Sequence, residues 1–379
     1  MPFFRVPLTE PMPITPRKTA MPVRDVEVIA PNFKRRLSGV TSTIIQLVPL
    51  QAGTLGIAAL GPGLPGHLPK LRWRQILGLW TRPARRPFRI WHARRNTEML
   101  AGLVLRDVLR MRLKLVFTSA AQRRHTAWTR FLIRRMDAVI ATSRRSAAFL
   151  EVPATVILHG IDLDAFSPER TSTPSPAMQA LAGQKIVGCS GRIRHQKGTD
   201  LFVAAMIDLL PHRPAWSAVI TGRTTGEHAP FERDLRERIA AAGLSDRILF
   251  LGEVDDIAAW FRRFDLYVAP PRNEGFGLTP LEAMASGRPV VASDAGAFAE
   301  MIVEGVTGKV VPVDDVSALA AAIEPYLGDD AGRQAAGTAA LDHVRRHFPL
   351  AREAAEIGAV YERLWDTGGK SDGSTRTSR

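Results

Sequence analysis

The chain has 379 residues, 45% of them hydrophobic, and a formal net charge of +14, which fits a folded protein of two domains better than one core. No apolar run approaches the ~18 uninterrupted residues that would span a bilayer, and a single cysteine, Cys189, cannot close an internal disulfide, which agrees with a reducing, cytoplasmic setting. The charge is lopsided: residues 1–150 hold 27 Lys and Arg against 6 Asp and Glu, while the remainder holds 24 against 31, so the first part suits an anionic partner such as nucleic acid, an acidic membrane surface or a phosphorylated acceptor.

Residues 1–22 are proline-rich, lack the apolar core and cleavage site of a secretory signal, and are expected to be a disordered tail. A first domain is predicted over 23–168. Its strand candidates are "DVEVIA" (25–30), "LKLVFTS" (113–119), "DAVIATS" (137–143) and "ATVILHG" (154–160), with a helical spacing over 97–112. Within that helix and its extension Arg106, Arg110 and Lys114 recur every four residues, which puts them on one face: a solvated face, or a surface for anionic lipid or a phosphorylated acceptor. Basic residues such as Lys34, Arg35, Arg36, Arg94 and Arg95 stand in the same domain, but interleaved aromatics and a recognisable nucleic-acid module are missing, so no nucleic-acid partner is expected.

The Ser-, Thr- and Pro-rich stretch over 169–183 reads as a linker. The strand–helix rhythm then restarts over 184–345 with "KIVGCSG", "WSAVITG", "RILFLG", "LYVAPP" and "PVVASD". Strands alternating with helices imply parallel sheets covered on both faces, so the fold class is α/β, two doubly wound Rossmann-like domains facing a cleft, with ligand at the strand ends. A last helix is expected over 346–366, and the apolar-poor residues 367–379 read as a disordered tail.

Two segments carry chemistry. In "NEGFGLTPLE" (273–282), Glu274 and Glu282 flank glycines that follow a strand and precede a helix start. Backbone N–H groups at such a start lack intrahelical partners and favour anions, while ionised carboxylates only accept hydrogen bonds and so suit hydroxyls. A ligand with phosphates and hydroxyls, a sugar nucleotide, satisfies both. Glu282 also admits a local reading, as half of a capping box with Thr279 as N-cap and Pro280 at the first helical position. In "GCSGRIRHQKGTDL" (188–201), Gly191 ends a strand, and Arg192 and Lys197 are placed to hold a diphosphate or to serve as ordinary loop cations.

At these residues the sequence resembles retaining glycosyltransferases of family four, of the glycosyltransferase-B fold: Glu274 and Glu282 match that family's paired glutamates, "GRIRHQKG" its Arg and Lys segment, and "VILHGIDLDAFSP" its interdomain turn. The resemblance implies that Arg192 and Lys197 contact the donor diphosphate, with Gly191 beside them, and that Glu274 holds the sugar hydroxyls. It further implies that Gly275, Phe276, Gly277, Leu278 and Thr279 hold sugar and phosphate through their backbone, that Glu282 takes the ribose, and that Glu253 and Val254 lie near the base. Gly39 matches the glycine loop that approaches the diphosphate from the other domain, and the helix over 346–366 crosses back to the N-terminal domain. More narrowly, the chain resembles bacterial lipopolysaccharide core mannosyltransferases. That implies α-mannosyl transfer from GDP-mannose to a Kdo-linked lipid A intermediate on the cytoplasmic face of the inner membrane; no cofactor is expected, and with no Cys or His cluster of zinc spacing no metal is expected either.

The resemblance departs at one point: where relatives place a histidine after the strand "LVFTS", this chain has Ala120 and Ala121. His125 is a candidate substitute or a polar helix histidine, and His92 and His159, at strand ends, are turn histidines or neighbours of the active site. Lys34, Arg35 and Arg36 are candidate acceptor contacts. No dedicated general base is evident, and "DLD" (162–164) is read as a turn rather than a metal signature. The alternatives are a sugar-nucleotide epimerase or hydrolase of the same fold, and a non-catalytic polyanion-binding protein.

Overall fold

Short apolar segments supply twelve strands in a computed structural model, which describes residues 20–35 and 39–371. Arg36 and most of both expected tails, 1–19 and 372–379, lie outside the described residues. The first sheet contains β1 (Val28–Pro31), β2 (Ile57–Leu60), β3 (Arg89–Ala93), β4 (Leu113–Ser119), β5 (Ala138–Ala141) and β6 (Thr155–Val156), in the order β2-β1-β3-β4-β5-β6. The second contains β7 (Lys185–Ser190), β8 (Trp216–Thr221), β9 (Ile248–Gly252), β10 (Leu266–Ala269), β11 (Val290–Ser293) and β12 (Gly308–Val311), in the order β12-β11-β10-β7-β8-β9. The pairings between these strands are parallel. Strands β1, β10 and β11 are buried at every residue, as parallel strands covered on both faces must be, which is why they read as apolar runs without alternation.

Three strands were not legible: β2, β3 and β12. Strand β3, "RIWHA", contains Arg89 and His92, both fully buried. The Arg89 guanidinium is satisfied by the carbonyls of Val26 at 3.0 Å, Val23 at 2.9 Å, Leu79 at 3.3 Å and Thr81, which is the condition on which a cation enters a core.

The helices that position the cleft are α1 (Gly39–Gln51), α2 (Asn96–Leu103), α3 (Ala127–Ile133), α4 (Thr199–Leu209), α5 (Thr279–Ala285) and α6 (Leu350–Ser371). Helix α6 begins beside the second sheet and packs on the first. Its Tyr361 and Trp365 are buried with Ile44, Leu47 and Val48 of α1, the Trp365 indole donates to the Phe88 carbonyl at 3.0 Å, and Arg86 and Glu362 form a two-pronged pair at 2.5 and 2.7 Å. Among the described residues no helix is long and apolar enough to cross a membrane.

Several expectations are corrected. The helix predicted over 97–112 runs as α2 only to Leu103, continues as a π turn over Val104–Val108, and ends at Arg110 with φ 53°, a left-handed C-terminal stop. Lys114 is already in β4, so Arg106, Arg110 and Lys114 do not share a helix face. Arg106 and Lys114 instead converge on Asp137 at 2.9 and 2.8 Å. The capping box at 279–282 does not form: the helix starts one residue early on Leu278, which is in the helical region, and Thr279 is its first residue. His125 sits in the loop before α3, whose N-cap is Thr126, and not in a helix. Within the expected linker, Pro176–Ala180 is a short helix capped by Ser175, with Met178 and Leu181 buried against the second domain. Residues 367–371 continue α6 rather than starting a tail, and at the other end Met21 N–H donates to Lys70 at 3.1 Å.

Candidate active site

The carboxyl ends of the two sheets face one another, and the loops that leave them line three recesses. On the second sheet, β7 ends at Ser190 and Gly191, followed by Arg192 and a single turn, His195–Lys197. Gly198 closes that turn with φ 66°, and a Cβ there would meet the Pro270 carbonyl oxygen at 1.8 Å; only glycine lets this turn press against the end of β10. The Lys197 ammonium is thereby delivered to Glu274, with which it forms an ion pair. The other oxygen of Glu274 accepts from the N–H of Gly275 at 3.1 Å. Gly277 holds φ 85°, and a side chain there would run into the Phe298 ring at 2.2 Å, so the loop needs glycine at this point.

Beyond this loop lies a recess of about 610 Å³, lined by Gly191, Arg192, Glu253, Val254, Thr279 and Glu282, with Ser42 of α1 reaching it from the first domain. Its size falls within the ~300–1,000 Å³ typical of small-ligand sites. Arg192 supplies cationic donors, Glu253 faces Arg223 at 3.9 Å, and Ser190 and Thr221 join hydroxyls at 2.7 Å on the same wall. Burial pushes the Glu282 carboxyl up to about 7. Cys189, just beneath, is buried and its thiol is pushed up to about 12 by that burial, which makes it a packing residue rather than a nucleophile.

On the near side, two adjoining recesses of about 270 and 460 Å³ meet at Glu274 and Gly275. The smaller is walled by Gly39 and Val40 of α1, by Phe276 and Leu278, and by Ile357 of α6. His159 lines it, edge-on to Phe276 with ring centroids 4.7 Å apart, its Nδ1 paired with buried Glu353 of α6 at 2.6 Å. The larger is walled by Asn96, Gln122, Arg123 and His125, with Ala120 and Ala121 beside them. His125 is 3.5 Å from the Ser119 hydroxyl, and burial, then the nearby Arg123 charge, hold its imidazole below its ordinary value. It therefore stands beside this recess rather than on a helix surface.

His92 does not reach the cleft. It is fully buried in β3, with Nδ1 2.6 Å from the Tyr361 hydroxyl of α6 and Nε2 2.6 Å from the Thr118 hydroxyl. Burial, then Arg94, keep it well below its ordinary value and neutral. It orients Thr118, which lines both near recesses. Sequence reasoning missed Thr118 as a lining residue and misjudged Arg94, which it counted among surface cations: Arg94 lines both near recesses, its N–H donates to buried Glu98 at 2.8 Å, and burial lowers its guanidinium from the ordinary value. The available signal was position alone, one residue past the end of β3. Arg95 is a structural cation held by Asn32 at 2.9 Å and Glu98 at 2.7 Å. Lys34 and Arg35 are exposed in the loop between β1 and α1. Asp162 accepts from the N–H groups of Asp164 and Ala165 at 3.0 and 2.9 Å, closing a turn.

Comparison with known proteins places this geometry. The family described as Glycosyl transferases group 1 matches residues 184–329. The chain is 64% identical over 343 residues to the lipopolysaccharide core biosynthesis mannosyltransferase LpcC of Rhizobium leguminosarum bv. viciae, covering 90% of this chain and 97% of that protein. The chain belongs to the group 1 glycosyltransferases. A second member, the lipopolysaccharide core biosynthesis mannosyltransferase LpsB of Rhizobium meliloti (strain 1021), is 58% identical over 347 residues, covering 90% of this chain and 99% of that one. Among solved structures, Anabaena HepE in complex with UDP superposes with a TM-score of 0.76 at 19% identity, covering 89% of this chain and all of that one; this likeness shows the glycosyltransferase-B fold. The group 1 match spans both charged segments, Arg192–Lys197 and Glu274–Glu282.

Proposed function

We propose that this glycosyltransferase transfers mannose from GDP-mannose, with retention at the anomeric carbon, to a Kdo-linked lipid A intermediate of the lipopolysaccharide core. The observation that carries the reading is the Lys197–Glu274 pair: Glu274 lines both smaller recesses, and Lys197 lies on the same loop as Gly191 and Arg192, which line the 610 Å³ recess. A donor whose nucleotide lies in the large recess, against Glu253, Val254 and Glu282, brings its diphosphate to Arg192, Lys197 and the backbone N–H groups of the glycine loop. Those donors stabilise the negative charge that grows as the bond to the anomeric carbon breaks, so the proposed reaction requires no metal or cofactor. Glu274 accepts from sugar hydroxyls and holds the ring for attack. The acceptor hydroxyl enters from the recess beside Thr118 and His125, on the face the diphosphate leaves, and a phosphate oxygen takes its proton.

Mannose and a lipopolysaccharide-core acceptor are supported by the two lipopolysaccharide core biosynthesis mannosyltransferases that match along nearly the whole chain, and a nucleotide donor by the UDP complex of HepE. A lipid-linked acceptor implies work at the cytoplasmic face of the inner membrane. The test is a panel of nucleotide sugars incubated with truncated core acceptors, reading nucleotide release and product mass. Mannose added only from GDP-mannose and only when a Kdo-bearing acceptor is present is the expected result. Donor consumption without acceptor returns the reading to a hydrolase or epimerase. Salt-sensitive lipopolysaccharide binding with no turnover returns it to a polyanion-binding protein.

A further inference from the structure

Between Glu27 and Glu98 the sequence contains no Asp or Glu and twelve Lys and Arg. At the centre of this acid-free stretch lies the 3-10 helix Trp73–Trp80, "WRQILGLW". Its inward residues are accounted for: Leu79 is fully buried and Ile76 packs on the first-domain core. Its outward residues are not polar. Leu77 is 69% exposed, Trp80 47% and Trp73 54%. The Trp80 indole N–H donates to the Leu109 carbonyl at 2.7 Å, which brings the end of this helix against the π turn, where Val108 is 70% exposed and Leu109 40%. Two separate chain segments thus present apolar side chains side by side. Isolated exposed apolar residues need no explanation, whereas such a contiguous patch does.

Around the patch stand exposed Arg72, Arg74 and Arg110, and a neighbouring carboxylate, Asp107, is engaged by Arg106 at 2.6 Å and faces Arg135 at 3.8 Å. Tryptophan and leucine ringed by arginine is the composition of a surface that lies in the interface of an anionic bilayer: the indoles settle at headgroup depth, the aliphatic side chains enter the acyl boundary, and the guanidinium groups meet lipid phosphates. Trp73, at the other end, stacks obliquely on Phe33 with ring centroids 5.7 Å apart, and Phe33 belongs to the loop that leads from β1 to Gly39.

We propose that Leu77, Trp80, Val108 and Leu109 form an apolar wedge that inserts into an anionic phospholipid surface, with Arg72, Arg74 and Arg110 binding its phosphates. The inference deepens the reading of a lipid-linked acceptor, and its test is separable from that reading because vesicle binding is measured without any sugar substrate.

The full chain is sedimented with vesicles of neutral phosphatidylcholine, and with the same lipid carrying a third of phosphatidylglycerol, over a range of salt. The expected result is binding to the anionic vesicles that weakens with salt and is accompanied by a blue shift of tryptophan emission. Leu77→Glu with Val108→Glu, both at highly exposed sites, lowers the partition coefficient at least about tenfold, and Arg74→Gln with Arg110→Gln lowers it by a similar factor on anionic vesicles only. Thermal unfolding and monomer elution unchanged in both variants exclude misfolding. The wedge is overturned if the glutamate variant binds as tightly as the parent, since charge alone then suffices. It is also overturned if the parent binds neither vesicle, or if it elutes as a dimer that Leu77→Glu with Val108→Glu dissociates, since the patch then covers a second copy.

Discussion

The two sheets have the same strand number and the same parallel pairing, yet the loops at their carboxyl ends hold the cleft by different means. On the second sheet the backbone does the positioning: Gly198 fits against Pro270, Gly277 against Phe298, and the charged pair Lys197–Glu274 follows from where those turns put it. On the first sheet the positioning is done by side chains buried beneath the cleft, in the chain from Tyr361 through His92 to Thr118 and in the Glu353 contact to His159, and both chains start on α6. In the proposed reaction, one half presents fixed amides and charges to the donor diphosphate. The other half takes its geometry from a helix that begins beside the opposite domain, so the arrangement of the acceptor side depends on how the domains are joined.

The sharpest way to break this contrast is at Glu274. Glu274→Ala removes the acceptor for sugar hydroxyls and leaves Lys197 without its partner; turnover is expected to fall about 10²–10³-fold, with the unfolding midpoint little changed because the backbone turns persist. Turnover within a few-fold of the parent would remove Glu274 from the site. On the first sheet the corresponding change is Tyr361→Phe, which leaves the fully buried Nδ1 of His92 without its partner at a cost of about 1–3 kcal/mol. The expected signature in steady-state kinetics is a raised KM for acceptor with donor KM unchanged. A rise in donor KM of the same size would show that the two halves do not divide the work as described.

The same contrast explains what the sequence revealed. Glycines, arginine and lysine at the ends of β7 and β10 are contiguous in "GRIRHQKG" and "NEGFG", so a linear reading reaches the residues of the proposed donor side, the doubly wound topology and most strands of the second sheet. The proposed acceptor side is assembled from Asn96, Thr118, His125, His159 and Glu353, which come from five separate places in the chain and carry no local pattern. Strand β3 was hidden because a buried Arg89 and His92 break the apolar run that marks a parallel strand. The helix over 97–112 was overextended because periodicity does not register the π turn at Val104–Val108 or the left-handed Arg110.

A smaller effect is expected at Glu282, where pH tests its proposed contact with the nucleotide. In the free protein burial raises its carboxyl to about 7. Hydroxyls donating to the ionised form stabilise that form, so a bound nucleotide lowers the value, and below pH 7 binding must first release a proton. Donor affinity should accordingly be flat above about pH 7 and weaken by up to about tenfold per unit below it. Glu282→Gln should bind more weakly at pH 8 and lose this dependence. Calorimetry at pH 6 and 8 measures both, and an unaltered slope in the variant would assign the titration to another group.

The smallest effect is expected where the sequence suggested a basic face. Arg106 and Lys114 are tied to Asp137, whose carboxylate also accepts from the N–H of Leu115 at 2.8 Å. They fasten the π turn and β4 to the start of β5 rather than project together from a helix. Arg106→Gln with Lys114→Gln should therefore cost only about 0.2–1 kcal/mol per pair in urea unfolding, since the pairs are partly exposed and screened. It should also leave vesicle binding well above that of Arg74→Gln with Arg110→Gln. If the Arg106 and Lys114 variant loses more lipid binding than that pair, the basic surface of the first domain is centred on the π turn and β4, and the 3-10 helix is a bystander.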